Sequence, residues 1–257
     1  MTRSVLADEL LYPVDVTVDD KGAIFVADHE AHALLKLDGK AFRVVAKGKG
    51  LPRTPLYGIR HIAADKEGRI VATDPATMKL YRIDASGNVT PVPDDERWVT
   101  PWGIVVEPGG SLLAVDRVND RLRRVSADGR VTEVATVKAP RAVLLDGKGG
   151  VLVVADRNVH RVDANGKVSA LLEKPPFELL HDGVLHPNGN LYVSDGYARA
   201  IWQITPDGKV TALVKGPPLE SPQGMAMDGG KNLLVADARA KTLFVVTTKG
   251  EITPLIP

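Results

Sequence analysis

The sequence predicts an all-β fold, a six-bladed β-propeller built from four-stranded antiparallel blades. Three observations carry this expectation. First, an apolar run ending in Asp occurs six times, as "AIFVAD", "RIVATD", "SLLAVD", "VLVVAD", "NLYVSD" and "NLLVAD". Their terminal residues, Asp28, Asp74, Asp116, Asp156, Asp195 and Asp237, are spaced by 46, 42, 40, 39 and 42 residues across the chain. A recurring period of about 40 residues is the signature of radially or linearly stacked units. Second, each run is followed by a polar loop, another strand-like segment and a Gly-containing turn such as "DASGN", "SADGR", "DANGK" or "TPDGK". Such turns join antiparallel strands into hairpins. Third, helix-periodic stretches are absent, while the runs are apolar on both faces, as in Leu112 and Ala114 against Leu113 and Val115. A sheet with one wet face would alternate, so these strands are expected to be packed on both sides, as blades are.

Within each unit the elements follow in order. An inner strand such as "PWGIVV" leads to a tight hairpin and then to the Asp-terminated strand. A loop and a third strand such as "RLRRVS" come next, and a fourth strand such as "VTEVA" closes the unit. The repeated aspartates are read as acceptors for loop amides, since a buried carboxylate without partners is costly. Seven segments compete for six fourth-strand places. Ser4–Ala7 is expected to complete the sixth blade, with the C-terminal "GEITPLI" displaced. The whole of residues 1–257 is expected to form one domain.

Composition narrows the function. The 257 residues are 44% hydrophobic and 25% charged with a net charge of +1, so no global field draws the chain to nucleic acid or an anionic membrane. Without cysteine, disulfides, thiolate metal sites and Cys nucleophiles are excluded. The N-terminal "MTRSVLADELLYP" lacks a signal-peptide h-region. A cytoplasmic location is expected if Met1 is native, and an exported one stays open if the chain was trimmed.

The unit "PWGIVVEPGGSLLAVDRVNDRLRRVSADGRVTEVA" resembles the NHL repeat, with its Pro-x-Gly opening, its strand ending in Asp, its Asn119-x-Arg121 loop and its Asp-Gly turn. The resemblance covers nearly the whole chain and implies a propeller, a fold that serves binding platforms and enzymes alike. More distantly, the chain resembles the gluconolactonase and luciferin-regenerating family and the streptogramin-lyase-like propellers. The former implies a divalent cation held by a Glu, two Asn and an Asp in a "DG" element. Asp182 in "HDGVL" matches that Asp. "LYPVDV" lacks the Glu, and Trp102 and Arg141 stand where Asn ligands are sought.

Topology assigns loops to faces. The segment opening each inner strand and the loop after each Asp share the upper face, and the first hairpin lies below. His181 and Asp182 therefore sit above and His186 below. Four or five strand residues separate them by roughly 13 Å or more, too far for one metal ion. Blades two and five are opposite, so His61 and His181 are expected to face each other across the channel.

Two functional readings follow. The leading one is a recognition module without cofactor. In it Arg60, Arg117, Arg121, Arg141 and Arg157 hold the acidic group of a small-molecule or peptide ligand, and Trp102 and Tyr197 supply flat apolar contact. The alternative is a metal-assisted hydrolase or lyase, lactonase-like or streptogramin-lyase-like, using His61, His181 and Asp182. Its divalent ion, zinc or calcium, is held by His61, His181 and His29. RNA is not an expected partner, because nine Arg and Lys residues on the upper face stand against ten acids. A monomer without membrane contact is expected.

Overall fold

The structure, a computed structural model, describes residues 6–7, 9–94, 98–229 and 231–256. Among them there is no helix; the chain forms six antiparallel sheets arranged as the blades of a propeller. Blade one contains β2 (Pro13–Val18), β3 (Ile24–Asp28), β4 (Ala33–Asp38) and β5 (Ala41–Lys47), preceded by β1 (Leu6–Ala7). Blade two follows with β6 (Ile62–Ala64), β7 (Ile70–Asp74), β8 (Lys79–Ile83) and β9 (Val89–Pro91), and blade three with β10 (Pro101–Val106), β11 (Leu112–Asp116), β12 (Arg121–Val125) and β13 (Val131–Thr136). Blade four has β14 (Pro140–Leu145), β15 (Val151–Ala155), β16 (Val159–Val162) and β17 (Val168–Ala170). Blade five has β18 (Leu180–Leu185), β19 (Leu191–Asp195), β20 (Ala200–Ile204) and β21 (Val210–Lys215). Blade six has β22 (Pro222–Met227), β23 (Leu233–Asp237), β24 (Thr242–Val246) and β25 (Ile252–Pro254).

The both-faces-apolar strands do what their pattern requires. Leu112 through Val115 are buried without exception, and six apolar clusters occupy the six interfaces between neighbouring blades. The cluster joining blade six to blade one brings Leu234, Ala236 and Leu243 against Leu10, Val16 and Leu35, with Leu255 and Ile256 packed at its edge. Packing of side chains therefore closes the ring. The expected exchange of an N-terminal strand into blade six does not occur. Leu6 pairs with Arg43 and Ala7 with Phe42, so β1 is a fifth, outermost strand of blade one. Blade six supplies its own fourth strand, with Val246 opposite Ile252, so the fourth-strand place is already taken. Ser4 and Val5 lie outside the described residues.

At the ring's centre the inner strands approach so closely that side chains become a steric problem. A Cβ on Gly224 would lie 2.3 Å from the Cα of Asp15, and one on Gly103 would lie 2.5 Å from the Cα of Ala142. Glycine at these two places lets adjacent blades meet.

The repeated aspartates explain how the upper loops are held. Asp195 accepts the amides of Glu178, Leu179 and Ala198 at 2.8, 3.0 and 3.0 Å. Asp28, Asp74 and Asp237 likewise each accept three loop amides, and Asp116 accepts those of Val99 and Thr100 together with the Asn119 side chain. Each carboxylate thus ties the segment before the inner strand to the loop after its own strand. All five are fully buried.

Asp156 is the exception. In the other blades nine residues separate the hairpin residue (Asp19, Asp65, Glu107, His186 or Asp228) from the strand-terminal Asp, but ten separate Asp146 from Asp156. The extra residue puts Ala155 in the place of the carboxylate, paired with Pro140 as Asp28 is paired with Pro13. The following loop is also shorter, closing through the Ala155 amide on the Asn158 carbonyl. Asp156 projects beyond its strand, its side chain 34% exposed, and among the described residues it accepts no loop amide and is partnered by Arg141 and Arg117.

Replacing Asp195 by Ala strands three amides, one buried and two part-buried, and is expected to lower the unfolding free energy by about 2–3 kcal/mol. Urea denaturation followed by tryptophan fluorescence checks this; a loss below about 1 kcal/mol would show that the carboxylate does not hold the loops.

Candidate functional site at the channel mouth

Trp102, Arg141, His181 and Gln223, the second residues of their inner strands, and Arg60, two residues before β6, face the upper mouth of the channel, while the corresponding Val14 packs between blades one and two. Most of them, with Tyr12, Tyr197, Arg199 and Arg239, line a cavity of about 380 Å³. A second cavity of about 480 Å³ adjoins it and is lined by Arg117, Arg157, Asp156 and Glu178, sharing Arg141 and Tyr197 with the first. Together the walls carry six arginines against three acids.

Trp102 is the hub. The guanidinium carbons of Arg60, Arg117 and Arg141 lie 4.4, 5.4 and 5.9 Å from its ring centre. The electron-rich ring face offsets part of the repulsion among three cations gathered on it. The tryptophan is itself anchored, since its carbonyl accepts the Thr73 hydroxyl at 2.6 Å. Arg141 is buried and bound to Asp156, which Arg117 also reaches at 3.3 Å. These two cations hold Asp156 below the usual carboxylate range even though its partial burial works the other way.

Arg60 has no such partner. It donates to the Gln223 side chain at 2.8 Å and makes no ion pair among the described residues. Burial, reinforced by the nearby charge of Arg141, pulls its pKa down to about 10. It remains a cation at neutral pH, but one short of negative charge. Burial, with Arg141, Arg60 and Arg117 around it, also pushes the His181 imidazole well below its ordinary pKa, so it is neutral. Its Nδ1 has no hydrogen-bond partner, and Gly196 leaves the space its Nε2 occupies, since a Cβ there would come within 2.7 Å.

One layer below, the third residues of the other inner strands, Asp15, Gly103, Ala142, Asp182 and Gly224, ring the channel with His61, the residue just before β6. His61 does not face His181. Its Nδ1 lies 3.2 Å from Asp15 and its Nε2 lies 3.4 Å from Asp182, from blades one and five. Burial alone would discharge the imidazole, but the two carboxylates outweigh it and raise its pKa to about 9. Asp15 is raised to about 7, first by burial and then by Asp182, with His61 opposing.

The other predicted residues fall elsewhere. His29 turns Nδ1 to the Ile59 carbonyl at 3.2 Å, His181 faces the arginines, and the set His29, His61 and His181 is not assembled. The group brought together is Asp15, His61 and Asp182. It does not fit a divalent ion well, because each carboxylate faces a different ring nitrogen and a metal takes only one. Arg121 begins β12 and turns outward to Glu133 at 2.9 Å, away from the mouth. Tyr197 stands at the rim, 72% exposed, and Arg157 lines the adjoining cavity. His186 keeps to the lower hairpin, where its Nδ1 accepts the Asn188 amide at 3.0 Å.

Both His61 and Asp15 hold protons more tightly folded than unfolded. The stability supplied by His61 is full below its ordinary value of 6.5 and is lost as pH rises through about 9, while the share of Asp15 falls as pH climbs from 3.8 to about 7. His61→Gln should therefore lower the melting temperature most near pH 6.5, and the deficit should shrink toward pH 10. Thermal unfolding followed by circular dichroism across this range decides it; a deficit independent of pH would show that His61 carries no charge there.

A family model described as the NHL repeat matches residues 10–37, which span the first three strands of blade one. No curated protein matches the sequence. Among solved structures, the chain is similar to virginiamycin B lyase from Staphylococcus aureus, at 19% identity and a TM-score of 0.72 over 99% of this chain and 88% of that one. It is also similar to a gluconolactonase from Xanthomonas campestris, at 12% identity and 0.77 over 96% and 87%. A chain of a nidogen/laminin complex gives 16% identity and 0.74 over 97% and 93%. What the chain shares with these three is the propeller fold.

Proposed function

We propose that this protein is a binding module whose channel mouth captures a small molecule or peptide end bearing a carboxylate or phosphate. The observation that carries the reading is Arg60, a partly buried guanidinium that makes no ion pair among the described residues, set beside Arg141 and Arg117 on the face of Trp102. A cation kept desolvated and repelled by its neighbours costs stability unless an anion arrives to pair with it. The incoming acid displaces little protein structure, because the cavity is lined by side chains already in place, and Tyr197 and Trp102 offer flat surface to the rest of the ligand. The fold is compatible with this role, since a similar propeller occurs in the nidogen/laminin complex.

A thermal-shift series with succinate, citrate and inorganic phosphate tests the reading. Saturating anion is expected to raise the melting temperature by about 5 °C or more. Arg60→Gln removes a charge-assisted contact of about 1.5–3 kcal/mol and should weaken the response at least tenfold in concentration. The same variant relieves repulsion, so its ligand-free melting temperature should match or exceed that of the wild type. An unchanged anion response in Arg60→Gln would overturn the assignment.

A second reading rests on His181, a neutral imidazole with an unpartnered nitrogen among arginines. In that reading it accepts a proton from a bound substrate whose developing negative charge the arginines stabilise, and the fold is compatible with it, since similar propellers occur in a lyase and a gluconolactonase. His181→Gln would then keep anion binding and lose turnover.

A further inference from the structure

The lower half of the channel forms a separate cavity of about 370 Å³, open to the face opposite the arginine cluster. Its walls are almost wholly apolar, formed by Val16, Ile62, Ile104, Val143, Val184 and Met225 and their neighbours along the inner strands. Its inner end is different in kind, closed by His61 and Asp182. An apolar funnel ending in buried charged groups selects a ligand that is apolar at one end and charged at the other.

The charge balance at that end gives the sign. Asp15 spends Oδ2 on the Ile62 amide at 2.7 Å, and Asp182 spends Oδ2 on the Met225 amide at 2.8 Å. Among the described residues the buried Oδ1 atoms of both carboxylates accept no hydrogen bond; Asp182 Oδ1 has only the ion-pair contact with His61 Nε2 at 3.4 Å, and neither His61 nitrogen makes a well-aligned hydrogen bond. When Asp15 is ionised, one imidazolium therefore serves two carboxylates, and one negative charge has no counter-charge among the described residues. The elevated pKa of Asp15, caused by burial and then by Asp182, reflects the same excess. Buried carboxylate oxygens of this kind are costly until a donor reaches them. Asp182 lines the funnel, so a donor coming from below meets it directly.

We propose that the lower channel binds a primary ammonium group carried on a short unbranched aliphatic chain, the ammonium against Asp182 Oδ1 and the chain against the apolar walls. The three donors of an ammonium suit an oxygen that faces a narrow space, and the alkyl chain fills the rest of the cavity. The site is distinct from the channel mouth, because His61 and its carboxylates stand between the two cavities and the mouth selects the opposite charge.

Isothermal titration calorimetry of the whole chain at pH 7 tests this with n-hexylamine, using ethylamine, hexan-1-ol and hexanoate for comparison. Hexylammonium is expected to bind at least tenfold more tightly than hexanol or hexanoate. Affinity should rise about fourfold for each methylene added between ethylamine and hexylamine. Asp182→Asn should weaken hexylammonium at least tenfold. Equal binding of hexanol would show a merely apolar cavity, and absence of heat from hexylamine would show a channel that admits no ammonium; either result overturns the proposal. If Asp182→Asn fails to fold, the amine and alcohol comparison on the wild type still decides.

Discussion

The buried carboxylate at the end of a blade's second strand is the contact on which the upper face depends. It accepts amides from the segment leading into its own blade and from the loop that leaves it, as at Asp28, Asp195 and Asp237. Two otherwise independent loops are thereby fixed to one strand end and to each other. Five such ties around the ring give a rigid rim, and a rigid rim is what allows several cations to be held near one another without escaping into solvent. Where the tie is missing, in blade four, the displaced carboxylate is free to orient Arg141 and Arg117 instead. One inserted residue thus turns a loop tie into a partner of two arginines.

The fold was legible because its signal is repeated. Apolar strands ending in Asp, Gly-containing turns and a steady period all depend on local chemistry that each blade must satisfy separately. Ring closure was less legible. "RSVLA" and "GEITPLI" have the same strand-like pattern, and the choice between them rests on long-range packing of Leu255 and Ile256 against blade one, which no local pattern encodes. The masking of Asp156 among the six aspartates has a different cause. Counting from one Asp to the next hides an added residue, whereas counting from Asp146 exposes it.

The site was partly legible. Arg60, Trp102, Arg117, Arg141, His181 and Tyr197 follow from the rule that strand openings and post-Asp loops share a face, and the structure gathers them. Arg121 obeys the same loop rule but starts a third strand, where the fourth strand offers Glu133 as a nearer partner. Asp15 was missed. It stood in "PVDVTV" as an acid inside an apolar inner strand, at the place where other blades carry Gly103, Ala142 or Gly224. That contrast was the available signal. Its meaning required the exact inter-blade register, which also moves Asp182, and not His181, opposite His61.

The separation of charge along one channel is the central feature of this account, with cations in excess above the waist and carboxylates in excess at it. A crystal structure determined in the presence of succinate tests that account most directly. The account predicts a carboxylate of the ligand against the Arg60 guanidinium, beside His181 and above Trp102. Succinate bound in the lower channel, or confined to exposed lysines with the mouth unchanged, would contradict it.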